Sequence, residues 1–366
     1  MSEAGVAGPD PHAFAALLCD WCLAVSPGDR VGVLSTTLAC DLGAALHSAI
    51  LARDAWPLVS LEPPSLAAER HLAARERHLT EPNPVELALV GALDALVRIH
   101  APQSTTELAD VDPARVAMLT RARQPIQEAA LALRWCATLS PTPALAQQAG
   151  MGTAAYATFV RRALFLDRPD PAGAWRELSE RQALLVARLE RARQIRIQAE
   201  GTDLTLSVAG RRWVNSDGRR NMPSGEVFTA PLERSANGTI SFSVPGGPRG
   251  SIVSGVRLTL KDGEVVEAHA QRGEQRLLAA LATDEGARRL GELGIGTNTG
   301  IDRPTGEILL DEKMAGTVHL ALGRAYPETG GINRSALHWD LICDLRDGGR
   351  LTADGEPVVV DGALEA

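Results

Sequence analysis

Aromatic residues are scarce in this 366-residue chain, at 4 %, so its core must be built mainly from Leu, Val, Ala and Ile. Cysteine is rare as well: Cys19, Cys22, Cys40, Cys136 and Cys343 are odd in number and widely scattered. Such a set implies no disulfide framework and fits a reducing compartment, so the expected location is the cytoplasm. Positive charge is not in surplus, the formal net charge being −8. Phosphate binding needs a basic surface, and nucleic acid is therefore not an expected partner. No apolar run approaches the roughly 18 residues of a membrane span. The opening MSEAGVAGPDPHAF also has no basic or apolar leader segment, so no membrane association is expected.

Nucleotide and nucleophile motifs are absent too. No Gly-x-Gly-x-x-Gly follows the first predicted strand, which argues against a dinucleotide, and no Gly-x-Ser-x-Gly occurs anywhere. Gly246-Gly247-Pro248-Arg249-Gly250 lacks the lysine and Ser/Thr of a phosphate loop and reads as a hairpin turn. Cys19-x-x-Cys22 lies in a helical pattern without a second ligand pair, so neither zinc nor redox chemistry is expected there. His71 and His78, in AERHLAARERHLT, belong to a charged, solvated helix.

What is present divides the chain in two. Over residues 1–192, helical patterns at 12–25, 40–53, 112–134 and 171–192 alternate with strand-like runs at 30–35, 56–62 and 94–101. That alternation predicts an α/β domain with a parallel sheet, suited to a lid or dimerisation role and carrying no chemistry. From 193 to 366 the pattern turns to period two, with Asp262-Gly263 set between alternating runs as a hairpin signal. A mainly antiparallel β (α+β) domain is expected there, with one helix at roughly 283–293 and Gly294 as its C-cap.

The chemistry lies in this second half. His338 and Asp340 are two residues apart in an apolar run, so on a strand both project from one face. His319, in VHLAL, adds a second imidazole. Glu226 stands beside Val227 and Phe228, where a buried charge is costly unless paired or metal-bound. Glu292 falls on the last turn of the expected helix, where the macrodipole disfavours it, and Glu312 closes an apolar run. Taken singly, each glutamate is an ordinary surface residue and His319 a hydrogen-bonded core histidine. Together, two histidines and four acids can supply a two-metal site with a bridging carboxylate.

NMPSGEVFTAP, ARRLGELGIG, LLDEKMAGTVHLALGRAYPETGG and NRSALHWDLICDL resemble, in the same order, signature segments of the M29 metallopeptidases, the aminopeptidase T and aminopeptidase S group. LLCDWCLAVSPGDRVGVL is similar to that family's opening, so the resemblance spans essentially the whole chain. It implies a metal-dependent aminopeptidase with a dinuclear centre in its C-terminal domain. The ligands it implies are Glu226, Glu292, Glu312, His319, His338 and Asp340, with Tyr326 close to the metals. It also implies two divalent cations per chain (Zn, Co, Mn or Mg), a homodimer, and a short peptide or small amide as substrate. In that mechanism Glu292, or whichever glutamate is not fully engaged by metal, carries the proton, and Tyr326 donates to the oxyanion. The competing expectation is a ring-cleaving dioxygenase, because His319, His338 and Asp340 alone would suit mononuclear Fe(II). A mononuclear site has no need of Glu226, Glu292 and Glu312 together.

Overall fold

Short apolar runs separated by amphipathic segments can pair in parallel only if each crossover carries the chain back along the sheet. The first part of the chain does this. In the computed structural model, which describes residues 8–247 and 252–365, two compact units can be distinguished. The first runs through Trp175 and takes in Gly218–Pro223; the second comprises Arg176–Asp217 and the chain from Ser224 onward.

In the first unit, β1 (Arg30–Thr36), β2 (Trp56–Glu62), β3 (Ala95–His100) and β4 (Arg134–Leu139) pair in parallel in the order β2-β1-β3-β4. Helices Cys40–Leu51 and Pro84–Gly91 lie in the first two crossovers. The helix expected over 112–134 is interrupted at Arg123, because Pro125 opens a new helix, Gln124–Leu131. The chain then enters β4, a strand not anticipated from the sequence. Cys19 and Cys22 are buried where helix Pro11–Leu17 widens into a π turn, and all five cysteines are free. His71 and His78 lie in the short helices Leu66–Leu72 and Glu76–Thr80.

In the second unit, β5 (Gln194–Ala199), β6 (Thr202–Ser207) and β7 (Val214–Ser216) come first. The two-residue β8 (Asn221–Met222) then adds a parallel strand beside β4 in the first unit. Next follow β9 (Glu226–Thr229), β10 (Asn237–Phe242), β11 (Ser254–Lys261), β12 (Glu264–Arg272) and β13 (Leu290–Gly296). The last strands are β14 (Thr317–Gly323), β15 (His338–Asp344), β16 (Arg350–Ala353), β17 (Glu356–Val360) and β18 (Ala363–Leu364). They form two antiparallel sheets, β12-β11-β10-β6-β5-β16-β17-β18 and β15-β14-β13-β9-β7. The Asp262-Gly263 turn joins β11 to β12 with φ of 49° and 77°, a backbone that glycine tolerates at its second position. Gly246 pairs with Val253 across the other expected turn, whose residues 248–250 lie outside those described, as do residues 1–7.

The α/β and antiparallel expectations hold, but two details differ. No helix occupies 283–293: the helix is Glu274–Leu281, a 3-10 turn covers Glu285–Arg288, and β13 follows. The unit boundary also falls at Arg176, inside helix Pro171–Leu189, and not near 192. Leu185, Leu189 and Ala192 belong to the core of the second unit, so packing draws this part of the helix into it. No helix among the described residues is long and apolar enough to cross a membrane.

Leu189→Ala removes a side chain that is 0 % exposed in that core. A loss of about 2–5 kcal/mol in unfolding free energy is expected by denaturant titration. A loss below roughly 0.5 kcal/mol would show that the helix end is not a core element.

Candidate metal centre

The antiparallel sheet β15-β14-β13-β9-β7 is apolar on one face and chemically reactive on the other. Val227, Leu293, Ile295, Val318, Leu320 and Leu341 join the core shared with the larger sheet. Their alternates, Glu226 on β9, Glu292 and Gly294 on β13, His319 on β14, and His338 and Asp340 on β15, therefore project from the opposite face. Both faces of β13 and β14 are buried along their whole length, which is why these strands show little alternation of apolar and polar residues. A bulge between Leu290 and Glu292 sets two residues of β13 against one of β14. With Gly291 as the extra residue, Leu290 and Leu293 both reach the core, at a spacing that imitates a helix.

Small residues lie beside the reactive ones. Gly294 faces His319 across β13 and β14, Ala321 lies between Glu292 and Asp340, and Gly323 faces His338. A Cβ built on Gly294 would stand 2.1 Å from His319 Cε1 and Nε2, so the imidazole occupies the space that any side chain there would need.

Glu226, Glu292 and His319 bring ligand atoms within 4.8 Å of one another, and so do Glu292, His338 and Asp340. Glu292 is common to both groups. His319 Nε2 stands 3.4 Å from Glu226 Oε2 and 3.3 Å from Glu292 Oε1. His338 Nε2 stands 3.6 Å from Glu292 Oε2 and 3.4 Å from Asp340 Oδ2. The other His338 nitrogen, Nδ1, is 2.8 Å from the Arg324 carbonyl. A carbonyl only accepts, so Nδ1 carries a hydrogen there and Nε2 is the nitrogen left to face the carboxylates or a metal ion. The Glu226 carbonyl accepts from Gln182 Nε2, which anchors the start of β9.

Glu226 Oε2, Glu292 Oε2 and Asp340 Oδ1 are buried without a hydrogen-bond partner. Buried carboxylate oxygens left this way are costly, and a divalent cation is the species that carboxylates and neutral imidazoles satisfy together. The donor set fits such an ion. Without metal, the cluster holds protons in its place. Burial lowers the His319 pKa, but Glu292 and Glu226 outweigh it and raise it to about 10. His338 is raised to about 9 against burial by Asp340 and Glu292. Burial raises Glu292, while Asp340 is held low against its own burial by His338.

Glu312 is a candidate that joins neither group. It caps the short helix Ile308–Asp311, and its Oε1 is in direct contact with Lys313 Nζ. Burial raises its pKa to about 8, with Lys313 opposing. Asp311 steadies this helix by accepting from Thr305 N, Thr305 Oγ1 and Gly306 N at 2.7–2.8 Å. The Tyr326 ring stands 5.1 Å from that of His338 and 5.7 Å from that of Phe228. Partial burial, and then the carboxylates, raise its pKa, so the hydroxyl stays protonated.

Lys313 and Gly294 were not expected here. Lys313 is the one lysine or arginine in the run from Leu309 to Gly323, a signal that singles it out. Gly294, expected from the sequence to cap a helix, is instead the cross-strand neighbour of a histidine.

Imidazoles and carboxylates gathered on one buried sheet face define a metal-dependent enzyme. Residues 10–363 match the model of the thermophilic metalloprotease family M29, and the chain belongs to that family. It is therefore a metallopeptidase, a hydrolase that works with divalent metal. Aminopeptidase 2 of Geobacillus stearothermophilus is 35 % identical over 321 residues, 76 % of this chain and 75 % of that protein. Aminopeptidase T of Thermus aquaticus is 34 % identical over 227 residues, 55 % of this chain and 53 % of that protein. Wild-type AmpT from Thermus thermophilus shares the fold, with a TM-score of 0.84 at 24 % identity over 97 % of this chain and 99 % of that one. A more distant likeness in fold is to the 2,5-dihydroxypyridine dioxygenase of Pseudomonas putida KT2440, with a TM-score of 0.59 at 15 % identity over 97 % of each chain.

Gly294→Ala is expected to displace the His319 ring and lower bound metal, measured by mass spectrometry, while circular dichroism stays unchanged. Alanine in a strand interior is otherwise favoured over glycine by roughly 0.5–1 kcal/mol, so full metal retention would refute the steric role. The imidazoles also make metal-free stability depend on pH. Their folded pKa values of about 10 and 9 exceed the ordinary 6.5, so the ion pairing is fully present below about 6.5. It is lost as pH rises through 9 to 10. The chelator-treated protein should lose more thermal stability between pH 8 and 10 than a His319→Gln/His338→Gln double variant; equal losses would contradict this.

Proposed function

We propose that this metallo-aminopeptidase releases the N-terminal residue of short peptides or small amides at a centre for two divalent cations. Glu226, Glu292 and His319 would hold one ion, and Glu292, His338 and Asp340 the other. The observation that carries the reading is that Glu292 belongs to both groups and keeps a buried, unpartnered oxygen. When bound, the cations supply Lewis acidity, lowering the pKa of a water and polarising the scissile carbonyl.

The chain's own residues do the rest. With Glu292 engaged by both groups, Glu312 is the glutamate left to move a proton. Its Oε1 is taken by Lys313, so Oε2 takes the proton from the attacking water and passes it to the leaving amine. The protonated Tyr326 hydroxyl donates to the oxygen that gains charge as the carbonyl becomes tetrahedral. Phe228 packs against one side of the Tyr326 ring.

A mononuclear iron oxygenase would draw on His319, His338 and Asp340 as one set. Among the described residues His319 falls in one group and His338 with Asp340 in the other, which favours the hydrolase.

The chelator-treated protein should release no free amino acid from a dipeptide series, and Zn, Co or Mn should restore release. Metal analysis should then find about two ions per chain. Glu312→Gln should lower kcat by about 10²–10⁴-fold with metal content unchanged. Absence of turnover with all three cations would sink the peptidase reading, and about one iron per chain would favour the oxygenase.

A further inference from the structure

Lys313 is a fully buried ammonium, its side chain 0 % exposed, set among carboxylates. An isolated ammonium removed from water is strongly disfavoured, so its partners define its role. Nζ contacts Glu312 Oε1 directly and stands 3.4 Å from Glu226 Oε1. Glu226 thereby divides its two oxygens, Oε1 toward the lysine and Oε2 toward His319. Glu312, the acid closest to the ammonium, is also the candidate ligand that joins neither metal-binding group. With no exposed surface, Lys313 cannot touch a substrate, so any effect it has on the reaction passes through these carboxylates.

We propose that Lys313 is a positioning residue that competes with divalent cations for Glu226 and Glu312, keeping Glu312 out of the metal set and free to transfer protons. The inference rests on the metal-site reading above. Its physical basis is that a fixed positive charge repels a dication nearby and occupies oxygens the dication would take. Two effects of opposite sign follow: metal binds less tightly than the carboxylates would allow, and the proton carrier stays available. A lysine that merely helped shape the ligands would have the reverse effect on affinity, because its loss would loosen them.

The test compares chelator-treated wild type, Lys313→Gln and Lys313→Met, each titrated with Mn²⁺ by calorimetry and followed by thermal unfolding and steady-state kinetics. Both neutral variants should bind Mn²⁺ at least roughly tenfold more tightly. Their metal-free melting temperatures should fall, since two buried carboxylates lose a counter-charge, and kcat at saturating Mn²⁺ should fall while KM changes little. Equal or weaker Mn²⁺ binding in folded Lys313→Gln overturns the proposal. If Lys313→Met folds only when Mn²⁺ is added, the cation has replaced the lysine and the proposal is supported. If neither variant folds even with Mn²⁺, Lys313 is a core strut and the proposal fails. A wild type that binds none of Mn²⁺, Zn²⁺ and Co²⁺ would instead overturn the metal-site reading itself, and this inference with it.

Discussion

Everything at the reactive face depends on the register of β9, β13, β14 and β15. Side chains alternate along a strand, so a slip of one residue would exchange the core face for the reactive face. Val318, Leu320 and Leu341 hold that register by burial against the larger sheet, at no chemical cost. The carboxylates and imidazoles gain nothing by approaching one another without metal beyond their mutual ion pairs, and burial opposes their charges. Hydrophobic packing on one face thus drives the assembly of a polar cluster on the other.

The floor beneath that cluster consists largely of missing side chains. Gly294, Ala321 and Gly323 lie next to the histidines and acids, leaving the imidazoles room to lie across neighbouring strands. Glycine weakens a strand interior, and here β13 is paired along both edges and buried on both faces in compensation. Lys313 adds a charge from the chain itself that keeps two buried acids paired in the metal-free protein.

His338 and Asp340 were legible because period two was enough to place them together, and Glu226 because a charge stood beside apolar residues. The parallel and antiparallel halves were legible from texture alone. β4 was hidden behind a helical pattern that Pro125 had already broken. The unit boundary was obscured because one helix carries apolar residues for the second core past the point where the first ends. The burial of Lys313 is not legible from sequence because a lysine beside a glutamate is ordinary on a surface, and only the tertiary structure removes it from water. β13 imitates a helix in sequence because Gly291 displaces the alternation, and Leu290 and Leu293 then recur at helical spacing.

That bulge has an evolutionary consequence. Gly291 is surplus to the alternation, because Leu290, Glu292 and Leu293 would keep their faces in a strand without it. What the extra residue changes is local twist, and with it the aim of one carboxylate. A Cβ at this position would meet the Gly323 carbonyl oxygen at 2.3 Å, so a side chain is barred there. A single in-frame codon deletion there would keep Leu290 and Leu293 on the core face while changing the aim of Glu292. Enzymes sharing this fold could in that way diverge in chemistry while their interiors stay nearly the same.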